Sequence, residues 1–389
     1  MKRLAWMVVV MLTAIPAWGA KRVTVQQLRD MLVEMQQAKK TDEEVASALK
    51  QLVLSEELTH STMNSLAGYM PGKFSTEQIY VLEARSATLP PPADDLPTAP
   101  VPDEATQKAM LDKAGEYAAK TYEALPNLTA TRTMVRFQDH VEPGPAASGL
   151  HSGAIGDAGA NPNLVAPNQF VHYINSTEAQ VDFVNGAEKN PLGTPKGPWD
   201  PKGMLALLGQ APVLSTGFDE AQKAGKIRFL RWETVNGKQA AVFAFNVDKK
   251  NTHYAVNDCC FPDVGQAGRV FFSSASTGGG GAKGNLQTTT SWVFYKATVP
   301  YHGEIYINPE TGIVVRLITQ AEFKDSEVVH QEDQRIDYDP MQVGDKTLVV
   351  PVRIVINVED VPSGDSGAAT FSLRHTMFTA EYKDYHAGS

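Results

Sequence analysis

Gly364-Asp365-Ser366-Gly367 carries the residue types of a serine nucleophile. The chemistry would be acyl transfer, in which a Ser hydroxyl is activated by a His base that a buried Asp orients. That machinery needs partners placed by their own strands and loops. No Ala-Ala-His-Cys-like segment occurs upstream, and Ala368 follows where the nucleophile pattern has Gly. Gly, Asp and Ser are also ordinary turn residues, and the segment lies between two strongly alternating stretches. The expectation is a hairpin loop without a catalytic residue.

Gly278 to Gly281, followed by Ala282 and Lys283, have the look of a phosphate loop. Such a loop needs Gly before its Lys and Ser or Thr after it, and Ala282 and Gly284 stand there instead. A surface loop is expected, with a flap over a cavity as the alternative. Nine histidines are scattered, with no His-Glu-x-x-His and no paired metal spacing. His253, His302 and His330 have no second ligand close in sequence. Glu322, Asp325, Glu327, Glu332 and Asp333 read as solvated strand ends rather than a catalytic pair. The sequence therefore predicts no enzyme, no cofactor and no metal.

Cys259 and Cys260 are the only cysteines, and they are adjacent. Neighbouring residues cannot staple distant parts of a chain, so stability is not their task. Two inert thiols, a strained vicinal disulfide and intermolecular bridges all remain open.

The compartment is written at the start of the chain. Lys2 and Arg3 precede an apolar stretch from Leu4 to Pro16, and Ala17 and Gly19 offer small residues where a signal peptidase reads. Residues 1–19 are expected to be a cleaved signal peptide, cut after Gly19 or Ala20, giving a periplasmic or secreted protein. No Cys follows the apolar run to carry a lipid anchor. The formal net charge of −9 argues against nucleic acid or anionic lipid as bulk-charge partners. No later segment has the length of a membrane-spanning helix, so an integral membrane protein is not expected.

The period of the apolar residues divides the rest. Val25, Leu28, Met31, Leu32 and Met35 recur at helical steps. Thr24 with Gln27, Thr41 with Glu44 and Ser75 with Gln78 fit the capping-box spacing. Residues 20–89 thus read as a small helical bundle. The proline-rich run over 90–102 reads as a semi-rigid linker. Asp103 then caps a helix expected to reach Leu125, before Pro126.

Beyond Pro126 the period becomes two, with Thr131, Thr133, Val135 and Phe137 alternating against Arg132, Arg136 and Gln138. Further strands are expected at 180–185, 227–234, 240–247, 291–299, 304–308, 313–322, 348–358 and 371–382. Asn236-Gly237 is a strong hairpin signal, since both residues tolerate positive φ. A short helix is expected near Met204–Leu208. Val350, Val352, Ile354, Ile356 and Val358 make an apolar face that the helix after Asp103 can cover. Candidate cavity-lining residues, chosen because they lie on alternating apolar faces, are Val135, Phe137, Phe243, Phe245, Ile354 and Ile356.

From Asp103 onward the chain resembles exported bacterial proteins with a LolA/LolB-like fold, the outer-membrane lipoprotein carriers. The stretches that carry the resemblance are Tyr117 to Phe137, with Tyr122-Glu123-Ala124-Leu125-Pro126-Asn127, and Phe229-Leu230-Arg231-Trp232-Glu233 with Asn236-Gly237 and Val242 to Val247. Tyr301-His302-Gly303-Glu304-Ile305-Tyr306-Ile307-Asn308-Pro309-Glu310-Thr311-Gly312, Val315-Arg316-Leu317 and Tyr338 through Val352 complete it. The resemblance lies within residues 103–389, and its motifs cover about two-thirds of the mature chain, not the helical N-terminal part.

The resemblance implies an α+β chain: a curved antiparallel half-barrel covered by helices around an apolar cavity. The function it implies is non-enzymatic binding of a hydrophobic ligand such as a lipid or acylated peptide. The alternative is an envelope interaction module with a packed core, docking a partner protein through its N-terminal helices.

Overall fold

Capping chemistry sets the start of the first two helices. Thr24 accepts from Gln27 N at 3.1 Å while Gln27 Oε1 accepts from Thr24 N at 3.0 Å, which opens α1 (Val25–Gln37). Thr41 and Glu44 repeat the device at α2 (Asp42–Leu49). The third expected box does not form. α4 (Lys73–Ser86) begins two residues before Ser75, and the Asp42 carboxylate accepts from Phe74 N and Ser75 N at 2.8 Å each. A side chain more than thirty residues away thus replaces the local cap. α3 (His60–Leu66) and a parallel pair of three-residue strands, β1 (Lys21–Val23) and β2 (Leu52–Leu54), complete the unit around Leu28, Leu32, Leu49 and Leu66.

This computed structural model describes residues 21–122, 125–139, 171–184, 186–189, 214–224, 226–262, 292–324, 327, 329–360 and 374–388. Within the proline-rich run, Pro90 O accepts from Glu57 N at 2.8 Å and Pro100 O accepts from Trp232 Nε1 at 2.8 Å. α5 (Glu104–Tyr117) starts on the Asp103 cap as expected and gives way to a π-helical turn, Ala118–Tyr122. α6 (Leu214–Ala224) was not legible as a helix in the sequence. The helix expected near Met204 lies outside the described residues.

The rest is antiparallel sheet. In chain order the strands are β3 (Leu128–Gln138), β4 (His172–Val184), β5 (Ala187–Glu188), β6 (Arg228–Val235) and β7 (Lys238–Val247). There follow β8 (Ala255–Pro262), β9 (Trp292–Thr298), β10 (Tyr301–Ile307), β11 (Val314–Ala321), β12 (Val329–Val343), β13 (Lys346–Asp360) and β14 (Arg374–Ala387). Ten of these pair in the order β5-β4-β3-β14-β13-β12-β11-β10-β7-β6, and β8 and β9 form a separate hairpin. The sheet is not closed into a barrel. Asn236 and Gly237 join β6 to β7 with φ of 49° and 74°, the two positive values a tight hairpin of this kind needs.

Register explains the alternation. Residues directly opposite one another share a face. One row runs Phe243, Ile305, Leu317, Ile336, Ile354, Ala380, Met134 across seven strands, and it is apolar throughout. α5 and α6 pack on this lid face, where Met110, Ala114 and Phe218 meet Phe243 and Phe245. The adjoining row runs Tyr306, Arg316, Asp337, Arg353, Glu381, Thr133 and is largely charged. It lies on the opposite, bundle face. There Val81, Ala84 and Ala87 of α4 and its end pack on Phe137, Val355 and Met377.

β12 corrects the sequence reading most. Its Glu332 and Asp333 are buried, not solvated strand ends. They sit in a central strand covered on both faces, so each must find polar partners there. Tyr254 donates to Glu332 at 3.2 Å, and Gln331 donates to Asp333 at 2.5 Å.

Candidate functional site

The lid face is covered unevenly. Over β7, β10 and β11 it is closed by α5, α6 and the residues around the β8–β9 hairpin, while Phe229 and Trp232 of β6 stay half-buried. Phe243 is 0% exposed there, with Phe229 edge-to-face at 5.6 Å. A second apolar cluster spans β3, β13 and β14, with Met134, Ile356, Phe378 and Ala380 buried, and no helix residue contributes to it among the described residues. Between the two clusters Ile336 and Ile354, cross-strand partners at the centre of the sheet, stay only half-buried. Leu348 and Phe323, also half-buried, touch both clusters. The result is an apolar seam where the helical cover stops.

Polar groups border this seam. Thr319 and Gln334 are cross-strand partners one row beyond Leu317 and Ile336, and both are buried. Gln334 Oε1 has no hydrogen-bond partner among the described residues. Tyr254 is fully buried beside them. Burial, then the Glu332 charge it donates to, pushes its phenol well above the usual range. Tyr301 stacks edge-to-face on Tyr254 at 5.3 Å and donates to Glu220 at 2.7 Å. Burial, then Glu220 as acceptor, raises its pKa too. Both hydroxyls therefore stay protonated donors, and neither is a base at physiological pH.

The six residues chosen from alternation do not share one cavity. Phe243 and Phe245 are packed under α5 and α6. Ile354 and Ile356 lie on the same face in the neighbouring cluster. Val135 and Phe137 fall on the bundle face beneath α4. Strand pattern identifies which residues share a face within one strand, but the pairing register decides which faces of different strands coincide. Ile336 and Gln334 escaped the sequence reading because β12 looked like a polar run.

The other chemistry-bearing candidates are dispersed. Ser366 and the Gly278–Lys283 segment lie outside the described residues. Cys259 and Cys260 lie in β8, where the register against β9 shifts between Asp258 and Phe261, and their side chains lie outside the described residues. His253 Nδ1 meets the buried Glu220 at 2.5 Å, and His302 Nδ1 meets Glu322 at 3.1 Å. Among the described residues no three His, Cys, Asp or Glu side chains are arranged to hold a metal ion. Among them, too, no helix is long and apolar enough to cross a membrane.

The bundle face holds a buried ladder of charge. Asp337 accepts from Arg316 Nε at 2.6 Å and from Arg335 Nε at 3.0 Å. Arg316 continues to Glu233 at 3.4 Å, and Arg231 makes a two-pronged pair with Glu304 at 3.0 and 2.8 Å. Burial alone would raise the Asp337 carboxyl, but Arg316 and Arg335 outweigh it and hold the group well below the usual carboxylate range. Every guanidinium here is committed to a carboxylate, which makes the ladder a structural brace rather than an anion site.

No family model, curated protein or solved structure matches this chain.

Proposed function

We propose that the protein is a non-enzymatic binding protein of the cell envelope. It holds a hydrophobic ligand, such as a lipid or an acylated peptide, along the lid-face seam. The observation that carries this reading is the half-buried pair Ile336 and Ile354 at the centre of a sheet whose helical cover ends beside them. An acyl chain laid there would gain about 25 cal/mol per Å² of apolar surface removed from water, without a polar motif. The buried polar edge at Thr319 and Gln334 supplies a place for a polar end group. A LolA/LolB-like half-barrel is the form of the fold that fits this role, and export by the N-terminal segment is the route that fits its site of action.

Denaturing extraction of the purified protein followed by mass spectrometry tests the reading, together with uptake of a fluorescent fatty acid. Bound lipid or saturable uptake, lost in Ile354→Trp, is the expected result. Protein that is free of lipid and takes up no fatty acid overturns it.

A second reading, an interaction module with a packed core, is favoured by the complete cover over Phe243 and by the 51% exposed Phe74 on α4. Phe74→Asp would then abolish capture of an envelope partner while leaving the fold intact.

A further inference from the structure

On the face opposite the seam, a groove of about 570 Å³ runs between the helical unit and strands β3, β4, β13 and β14. We propose that this groove is a separate binding site for an organic cation, an alkylammonium or guanidinium group carried on a small apolar or aromatic body.

The shape follows from two periodicities. Lys73, Thr76, Tyr80 and Glu83 recur at three- and four-residue steps of α4, so one helical stripe forms the wall. Val135, Phe137 and Thr379 share the bundle face of β3 and β14 and, with Tyr173 of β4, form the floor. Phe137 and Tyr173 stand edge-to-face at 6.3 Å. The size suits a small-molecule site.

The charges decide what enters. Arg353 closes the inner end, but its Nη2 lies 2.6 Å from Oε2 of the buried Glu83, so its charge is already matched. Arg353 is also the cross-strand partner of Glu381, yet it turns to Glu83 instead. Glu381 is exposed and has no hydrogen bond or ion pair among the described residues. At the mouth, Lys73 is 79% exposed and 3.6 Å from Glu77. Glu83 and Glu77 are matched in turn by Arg353 and Lys73, so the charge left over is that of Glu381, which repels an anion. A cation would find the unmatched Glu381 and the ring of Tyr80, which is 45% exposed beside the floor. An aromatic face with a nearby carboxylate is the pairing that attracts organic cations.

Isothermal titration calorimetry of the purified chain with benzyltrimethylammonium, and with benzenesulfonate as the anion of similar ring size, tests the proposal. Saturable binding of the cation alone is expected. Tyr80→Ala should weaken it about fivefold, and Glu381→Gln about threefold. Both residues are exposed, and unchanged thermal melts will show that both variants fold. Ile354→Trp, on the other face, should leave this binding intact while blocking fatty-acid uptake, so the two sites fail separately. Absence of cation binding, equal binding of both probes, full affinity in both groove variants, or loss of binding in Ile354→Trp would each overturn the assignment.

Discussion

Arg335 Nη1 of β12 and Glu57 Oε1 of the helical unit lie 2.5 Å apart, both side chains at most 5% exposed. The same Arg335 Nη1 donates to Ala87 O at 3.1 Å. The contact joins residues 278 positions apart, and it ties the N-terminal bundle to the bundle face of the sheet through matched charge. Glu57→Gln leaves a buried guanidinium short of a counter-charge. We expect it to lower unfolding free energy by about 3–5 kcal/mol, measured by urea denaturation. Glu57→Leu combined with Arg335→Met should recover much of that loss, because it removes both charges. Wild-type stability in the single variant would show that the pair does not hold the two parts together.

His375 supplies a pH dependence. Burial first, and then the adjacent Arg85 guanidinium, lower its imidazole from the ordinary 6.5 to about 4, against the opposing pull of Asp139. Its backbone N–H donates to Asp139 Oδ1 at 2.9 Å, and Glu359 lies 3.8 Å from Nδ1. A depressed pKa means that the unfolded chain binds the proton more readily. The contribution is therefore present in full above pH 6.5 and is lost progressively as pH falls toward 4. Its size is on the order of 3 kcal/mol. Thermal melts from pH 7 to 4 should fall more steeply for wild type than for His375→Gln; parallel curves would remove His375 as the cause.

Sequence pattern made some features legible because their causes are local. The boxes at Thr24 and Thr41, the Asp103 cap and the Asn236-Gly237 turn depend on neighbours within three residues, and all four form. The alternation of β7 and β13 likewise reports which residues share a face, although both faces of these strands are largely buried. β12 was illegible for the converse reason. Gln331-Glu332-Asp333-Gln334-Arg335 reads as solvated, yet the partners that let Glu332 and Arg335 be buried are Tyr254, Glu57 and the carbonyl of Ala87, all distant in sequence. The seam suffered the same fate. Ile336 becomes the neighbour of Ile354 only through the register of β12 on β13, which no single-strand pattern contains.

Packing differences along the lid face predict unequal costs for similar truncations. Phe243 is fully enclosed by Phe229 and the helical cover, so Phe243→Ala should leave a cavity costing about 3–5 kcal/mol. Ile354 is half-buried at the seam, so Ile354→Ala should cost less, about 1–2 kcal/mol. Chemical denaturation of the two variants checks this. Equal losses would mean that the seam is as tightly packed as the covered half, and the ligand reading would lose its main support.

Gly303 in β10 gives the sharpest steric test. It sits between Phe245 of β7 and Thr319 of β11 in the same cross-strand row. A Cβ placed there would lie 1.9 Å from Ile318 O and 2.9 Å from Phe245 Cζ. The first contact is with backbone, which cannot step aside without breaking the β10–β11 ladder, and the second is with a ring already fixed against Tyr301 at 5.8 Å. Gly303→Ala should therefore destabilise the sheet by about 3 kcal/mol or more, beyond the usual cost of overpacking. Gly344→Ala is the control for the same residue change. Its φ is +60° but no atom lies within 4 Å of the added Cβ, so only backbone strain of about 1 kcal/mol applies. Thermal unfolding of the two variants should rank Gly303→Ala far below Gly344→Ala. If the order reverses, the close approach of β10 to Phe245 and Ile318 is wrong, and with it the placement of the aromatic core beside the seam.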